Sequence, residues 1–317
     1  MSNPTCTLGL AGEWQLHRLH PNLLVLDYCQ YSIDGGPWSE TVPVVRARHE
    51  IFAALGLDQI QGFQPWYLAR EGLYPTPRPV ALRYVVDASV DLASAGLAVE
   101  HLERWTVSVN GEDRRTDPTG WLWDRNLGTC DLGDCLKRGR NVIELRSTLQ
   151  QDLEIEDIFV TGSFAVVLAD GLHPTIAEES QVSGTGDWTT RGYPFYTGAM
   201  RYSRQIELDT APPESARLKL TGVAGACAQV RLNDGEPSWV AWEPWEVPVG
   251  DQLRAGSNLI TIDVYTSLRN ALGPLHHKDA NSLSWVGPEE FEQGENWTDS
   301  YVLQPHGLLG DVVLLTD

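Results

Sequence analysis

Apolar and polar positions alternate with a period of two along most of the chain. The runs NLLVLDYCQYSI, ALRYVVDA, WTVSVNG, NVIELRS, ARLKLTG, AQVRLNDG, NLITIDVYT and GDVVLLTD are rich in β-branched and aromatic residues and bounded by turn formers, the pattern of half-buried strands. A helical period shows only in RARHEIFAALGLDQI, where Ile51, Phe52 and Leu55 share a face and Gly56 closes the first segment. Asp34-Gly35-Gly36 reads as the turn of a hairpin around Trp38. The pattern predicts an all-β protein that opens with a hairpin and a short helix.

The pattern also repeats. From residue 78 the order is ALRYVVDA, GLAVEHLERWTVSVNG, a Trp-containing loop, CDLGDCLKRGRNVIELRS and DIFVTGSFAVVL; from residue 198 it returns as GAMRYSRQIEL, ARLKLTGVAGACAQVRLNDG, a Trp-containing loop, WEVPVGDQLRAGSNLITIDVYT and HGLLGDVVLL. Arg83 to Arg201 is 118 positions, Asn110 to Asn233 is 123 and Asn141 to Asn258 is 117. A period of about 120 residues is too long for a solenoid repeat and fits a sandwich domain duplicated in tandem. This predicts a connecting segment over 1–77, a first sandwich over 78–175 and a second over 176–317. In Val109-Asn110-Gly111 and Leu232-Asn233-Asp234-Gly235 a strand runs into residues that tolerate positive φ, so Asn is first a turn residue there. Leu136 to Asn141 and Leu253 to Asn258 form a second repeated turn, each with a glycine before the next strand.

Composition narrows the classes. A chain of 317 residues with 42% hydrophobic content can fill more than one core. Lys+Arg is 23 against Asp+Glu 43, a net charge of -20, which repels nucleic acid and anionic lipid. No stretch of about 20 apolar residues occurs, and the start MSNPTCTLGLAGEW lacks a signal peptide's basic end and apolar run. No membrane association is expected. The cysteines, Cys6, Cys29, Cys130, Cys135 and Cys227, are odd in number and scattered, which favours reduced thiols and a cytoplasmic setting, with Cys130–Cys135 the main candidate bridge. Twelve Trp and ten Tyr against six Phe favour rings that can stack on ligand, although sandwich cores also consume both.

VRLNDGEPSWVAWEPWEVPVGDQLRAGSNLITIDVYTSLRNALGP resembles the sugar-binding domain of glycoside hydrolase family 2 and its relatives, where a strand ending in a valine-asparagine-glycine turn precedes a tryptophan or proline loop and then a leucine-x-x-glycine-x-asparagine turn. GYPFYTGAMRYSRQIEL and VSVNGEDRRTDPTGWLWDRNLGTCDLGDCLKRGRNVIEL resemble the same family. The resemblance covers about residues 78 to 317. It implies two tandem galactose-binding-like jelly-roll β-sandwich domains, of the kind found in the C-terminal regions of large bacterial glycosidases, with the Trp14 to Trp38 stretch similar to their connecting segment. The catalytic barrel of that family has no counterpart in the sequence. The implied role is a non-catalytic carbohydrate-binding or accessory region whose partners are an oligo- or polysaccharide and a glycosidase catalytic domain.

Catalytic motifs do not add to this. No GxxxxGK[ST], GxGxxG, GxSxG or HExxH is present, and no catalytic residue is assigned. Among 43 acidic residues a carboxylate pair for glycoside hydrolysis can always be named, so Asp152, Glu154, Glu156 and Asp157, and Glu289, Glu290, Glu292 and Glu295, read first as solvated faces or cation sites. The alternatives to a binding region are a glycoside hydrolase in its own right using Asp and Glu as acid and base, and a structural module docking a catalytic barrel. The expected ligand contacts are Trp188, Tyr193, Phe195, Tyr196, Trp239, Trp242, Trp245, Asn270, His276 and His277 in the second sandwich, with Trp285 and Trp297 nearby. In the first sandwich they are Trp121 and Trp123, on one side of an extended segment, beside Asp124 and Arg125. Aromatic rings stack on the CH faces of sugars while polar side chains bond the hydroxyls. Adjacent His276 and His277 point in opposite directions on an extended segment, so zinc is disfavoured. No cofactor is expected beyond a structural calcium in the acidic loops, with ligands unassigned. Asn296-Trp297-Thr298 fits the glycosylation pattern by chance.

Overall fold

The computed structural model describes residues 6–10, 13–56, 70–72, 77–149, 153–282, 291 and 294–316. Nearly all regular elements are strands, arranged in antiparallel sheets as β-sandwich domains. The helix runs Val44–Ala54, starting after Pro43, whose fixed φ suits a helix start, and Gly56 at φ 75° ends it. Val44, Ala47, Ile51 and Phe52 are its buried residues; positions 57–60 of the expected helix lie outside the described residues. Tyr28–Ile33 turns at Asp34-Gly35, and its return pairing falls at Val42–Pro43 rather than at Trp38. Among the described residues no helix is long and apolar enough to cross a membrane.

The chain forms two compact units. Sandwich I comprises Leu23–Glu179 and Leu272–Val302; sandwich II comprises Met1–Asn22, Ser180–Ala271 and Leu303–Asp317. These units are cut differently from the sequence boundaries at 77 and 175, because strand partners are chosen far along the chain. Gln15–Arg18 pairs with Ala199–Leu208 in sandwich II, whereas Tyr28–Ile33 pairs with Arg78–Ala88 in sandwich I. The expected connecting segment is thus divided between the two units.

Each unit holds a sheet with the same five-strand order. In sandwich I it is Tyr28–Ile33, Arg78–Ala88, Gly139–Leu149, Thr106–Val109 and Glu112–Arg114. In sandwich II it is Gln15–Arg18, Ala199–Leu208, Gly256–Tyr265, Cys227–Leu232 and Ser238–Val240. All these pairings are antiparallel. A second sheet in sandwich I contains Gly120–Leu122, Asp124–Gly133, Ala95–Glu100 and Ile158–Gly162. Its counterpart in sandwich II orders Cys6–Gly9, Val312–Thr316, Arg217–Leu220 and Glu246–Pro248. Inward alternation fixes the register: Asn258, Ile260, Ile262 and Val264 are buried on one face of Gly256–Tyr265. Burying each such aliphatic side chain contributes roughly 1.5–3 kcal/mol, so a one-residue slip would lose several at once.

The two repeated turns are halves of one clamp. In sandwich I, Asn141 Oδ1 accepts from Lys137 N at 2.9 Å and Asn110 Nδ2 at 3.0 Å, while its Nδ2 donates to Lys137 O at 2.7 Å. Asn110, at φ 54°, accepts on Oδ1 from Val142 N at 2.9 Å. Sandwich II repeats the set bond for bond: Asn258 Oδ1 accepts from Arg254 N at 3.0 Å and Asn233 Nδ2 at 3.1 Å, its Nδ2 donates to Arg254 O at 2.7 Å, and Asn233 Oδ1 accepts from Leu259 N at 2.9 Å. Gly139 and Gly256 sit at φ 104° and 86°, where a side chain would strain the turn. The repeated motifs therefore encode strand connection, which leaves ligand contact to other residues.

Candidate functional site

Four of the expected contact residues are buried, three of them, Trp188, Tyr193 and Tyr196, in the core of sandwich II. Trp188, Tyr193, Phe195 and Tyr196 are each no more than 5% exposed. Trp188 packs at 6.0 Å from Tyr196 and 6.3 Å from Tyr202, and its Nε1 donates to Tyr202 Oη at 2.6 Å. Tyr196 Oη donates to Ala199 O at 2.6 Å. Rings stacked edge to face with their polar tips satisfied internally close the sandwich end and offer no face to a ligand. Asn270, fully buried, brackets Gln304 by donating to its carbonyl at 2.8 Å and accepting its N–H at 2.9 Å; its role is to hold that segment.

His276 is also interior. In sandwich I its Nδ1 lies 2.9 Å from Thr298 O and its Nε2 2.9 Å from Asp27 Oδ2, and Tyr301 Oη donates to Asp27 Oδ1 at 2.8 Å. Trp297 stacks on the imidazole at 4.6 Å. Both ring nitrogens face oxygen atoms, so the ring is held from both sides. The group ties residues 272–302 to the strand through Asp27. Burial, and then the charge of Asp27, push the Tyr301 phenol well above its ordinary range. His277 turns away, accepting Asp279 N on Nδ1 at 3.1 Å, so the two histidines do not converge. Among the described residues no group of three or more His, Cys, Asp or Glu side chains is arranged to hold a metal ion. Cys130 and Cys135 are both free thiols.

In sandwich I the two tryptophans do not share a side. Trp121 is 58% exposed, but Trp123 takes φ 60° at a tight reversal and packs edge-on against the core ring of Phe159 at 5.1 Å. The positive φ breaks the alternation that the extended reading assumed. Trp285, Asp152, Glu289, Glu290 and Glu292 lie outside the described residues. Burial raises the Asp157 carboxyl well above its usual range, with Asp27 adding to the effect.

Two of the remaining candidates face solvent. Trp239 is 58% exposed and Trp242 77%, while Trp245 is half-buried against the sandwich II core. Trp239 lies 5.3 Å from Tyr265, tilted by 38°. It stands opposite Gln229, which stands opposite Asp263, which stands opposite Arg201. Arg201 binds Asp263 in a two-point fork, Nε to Oδ1 and Nη2 to Oδ2, both at 2.7 Å. That geometry gives the pair fixed orientation as well as attraction. Asp263 is buried in this pair and Arg201 is partly exposed, so the groups open to a ligand with CH faces and hydroxyls are the Trp239 ring, with Tyr265 beside it, and the outer guanidinium nitrogens. Sequence reading missed Tyr265, Asp263, Arg201 and Gln229. Their signal was the polar phase of NLITIDVYT, in which Thr261, Asp263 and Tyr265 share the face opposite the core.

Neither a family profile nor a curated protein matches the chain. Among solved structures it is similar to a rhamnosidase from Novosphingobium sp. PP1Y, with 15% identity and a TM-score of 0.32 over 79% of this chain and 26% of that one. It is similar to an alpha-L-rhamnosidase from Streptomyces avermitilis complexed with L-rhamnose, with 12% identity and a TM-score of 0.27 over 80% and 34%. A beta-D-mannosidase from Dictyoglomus thermophilum gives 11% identity and a TM-score of 0.24 over 82% and 31%. These neighbours are glycoside hydrolases, and the chain spans 26% to 34% of their lengths. The overlap is too loose to transfer a residue role, so the site rests on its own geometry.

Proposed function

We propose that the chain is a non-catalytic carbohydrate-binding or accessory region of a glycoside hydrolase, with saccharide contact made by sandwich II. The observation that carries this reading is the exposure of Trp239 and Trp242, 58% and 77%, with the Tyr265 ring 5.3 Å from Trp239. Large rings left in water are unfavourable unless something covers them, and pyranose CH faces cover them well. The expectation drawn from residues 230–274, that the second sandwich contacts sugar, is kept as a proposal with a smaller residue set. Trp239, Trp242, Tyr265 and the polar pair replace the buried aromatics.

The test is a glycan array followed by affinity electrophoresis on the polysaccharides it identifies. Retardation of the wild-type chain that falls at least tenfold in Trp239→Ala and Trp242→Ala, with unchanged circular dichroism, supports the reading. An absence of binding to every neutral and charged glycan defeats it.

A further inference from the structure

We infer that Asn110 is a self-modification site: cyclisation onto Gly111 followed by hydrolysis converts it to aspartate or isoaspartate, the closed asparagine clamp of sandwich I restrains the reaction, and sandwich II is built without the site. This inference lies outside the carbohydrate reading and does not depend on it.

Asn110-Gly111 is the single Asn-Gly pair in the chain. Both residues are exposed, in the turn that joins Thr106–Val109 to Glu112–Arg114. Gly111 sits at φ 83°, and nothing lies within 4 Å of where a Cβ would stand, so no side chain crowds that position. The reaction is internal and needs only water. Gly111 N gives its proton to hydroxide and bonds to Asn110 Cγ; the Cγ–Nδ2 bond breaks, and Nδ2 takes a proton from water and leaves as ammonia. Water then adds to one or the other carbonyl of the resulting succinimide, and opening of the ring gives aspartate by one route and isoaspartate by the other. Nothing is oxidised or reduced.

Ring closure requires the carboxamide to swing onto Gly111 N, and the clamp holds it elsewhere. Asn110 Nδ2 donates to Asn141 Oδ1 at 3.0 Å and to Cys135 O at 3.3 Å, its Oδ1 accepts from Val142 N at 2.9 Å, and its backbone N donates to Val142 O at 2.8 Å. Both amide protons and the oxygen are engaged, so these side-chain bonds must break before Cγ reaches the attacking nitrogen. Sandwich II holds Asn233 in the same way, with Nδ2 donating to Asn258 Oδ1 and Gln252 O, each at 3.1 Å, and Oδ1 accepting from Leu259 N at 2.9 Å. The next residue differs. It is Asp234, whose Cβ crowds the nitrogen and whose carboxylate opposes its deprotonation. The product acts back on the fold. A carboxylate at position 110 sets an acceptor against Asn141 Oδ1 and Cys135 O where the Nδ2 donor stood. Isoaspartate also adds a methylene to the backbone of a tight hairpin turn, so the pairing of Val109 with Glu112 loses its register. Conversion of Asn110 therefore opens the clamp of sandwich I alone.

Peptide mapping by mass spectrometry of the full chain, aged warm at mildly alkaline pH beside a urea-unfolded sample, reads conversion at each asparagine. The expected result is conversion at Asn110 ahead of Asn233 in both samples, and roughly tenfold or more slower at Asn110 in the folded chain, where the clamp bonds must first break. Folded Asn141→Ala, which lacks one acceptor for Nδ2, should convert Asn110 roughly threefold or more faster than the folded wild-type chain. Hydrogen exchange at Val142 N, the donor to Asn110 Oδ1, should quicken in step. If Asn141→Ala fails to fold, the wild-type chain carries the test in urea below its transition, where conversion should rise together with exchange at Val142. The converted chain, separated on anion exchange by its added negative charge, should unfold at lower urea than the unconverted one. Equal rates in the folded and unfolded chain, no acceleration in folded Asn141→Ala or in wild-type sub-transition urea, conversion led by Asn233, or an unfolding midpoint unmoved by conversion overturns the inference.

Discussion

Removing one asparagine of the clamp should destabilise a unit without touching its ligand face. In Asn258→Ala, Arg254 N loses its 3.0 Å acceptor, Arg254 O and Gly256 O lose donors at 2.7 and 3.0 Å, and Asn233 Nδ2 keeps only Gln252 O at 3.1 Å. A polar group stranded away from water costs about 1–3 kcal/mol. Gly256 is exposed and regains water, so about two groups stay stranded and the expected loss is roughly 2–4 kcal/mol. Asn141→Ala should cost at least as much, because Asn141 also donates to Val86 O at 3.3 Å in a buried setting. Urea unfolding followed by tryptophan fluorescence reads the loss: with an m-value of ~2 kcal/mol per M the midpoint falls by about 1–2 M at unchanged slope. Hydrogen exchange should locate the loosening of Asn258→Ala in peptides from 199–265, and saccharide affinity measured below the transition should stay at the wild-type value. A loss under about 1 kcal/mol would show that water replaces the side chain freely and that the clamp reasoning is wrong. A selective loss of saccharide affinity would instead make Asn258 a contact residue.

Two further outcomes follow from buried polar groups. Tyr202→Phe removes the acceptor of Trp188 Nε1 at 2.6 Å and of Leu308 N at 3.0 Å, leaving two buried donors, so sandwich II should lose about 2–5 kcal/mol in denaturant titration; an unchanged midpoint would refute it. Asp157 binds its proton more tightly folded than unfolded, because burial and Asp27 raise its carboxyl well above the usual range. The folded state therefore holds more protons between the two values, and this group erodes stability as pH rises from about 4 upward. Asp157→Asn should accordingly raise the unfolding midpoint at pH 7 and leave it unchanged near pH 3.5; a fall at pH 7 would show that the ionised form is the one the fold favours.

The strands were legible because a two-residue period needs no knowledge of partners. The division into units was not, because the same period leaves the partner open: Gln15–Arg18 chooses Ala199–Leu208, a pairing set by tertiary packing across most of the chain. Within the site, Trp239 and Trp242 were found by residue type and by their place in a loop beside Pro237 and Pro244. Residue type also nominated Trp188, Tyr193, Phe195 and Tyr196, since an aromatic cluster ahead of a strand reads the same whether it plugs a sandwich or faces solvent. Only burial separates the two. Arg201 and Asp263 were hidden for another reason, being 62 positions apart and joined by register alone.

What two copies share is required by the fold, so function is better sought where they differ. The asparagine clamp and the five-strand order are common to both sandwiches. They account for the resemblance of the repeats without assigning either a ligand. Side chains on the sheets differ: counted from the clamp, Arg83 stands where sandwich II has Ser203, and Arg201 where sandwich I has Ala81, and Trp38 stacks on Arg83. A stacked Trp and arginine contribute about 0.5–2 kcal/mol, so sandwich I gains stability from filling its own face. Sandwich II forgoes that gain and keeps two tryptophans in water. A side chain that the fold neither buries nor repeats is free for contact, and this is why the exposed Trp239 and Trp242, rather than the repeated motif, are the place to look for sugar.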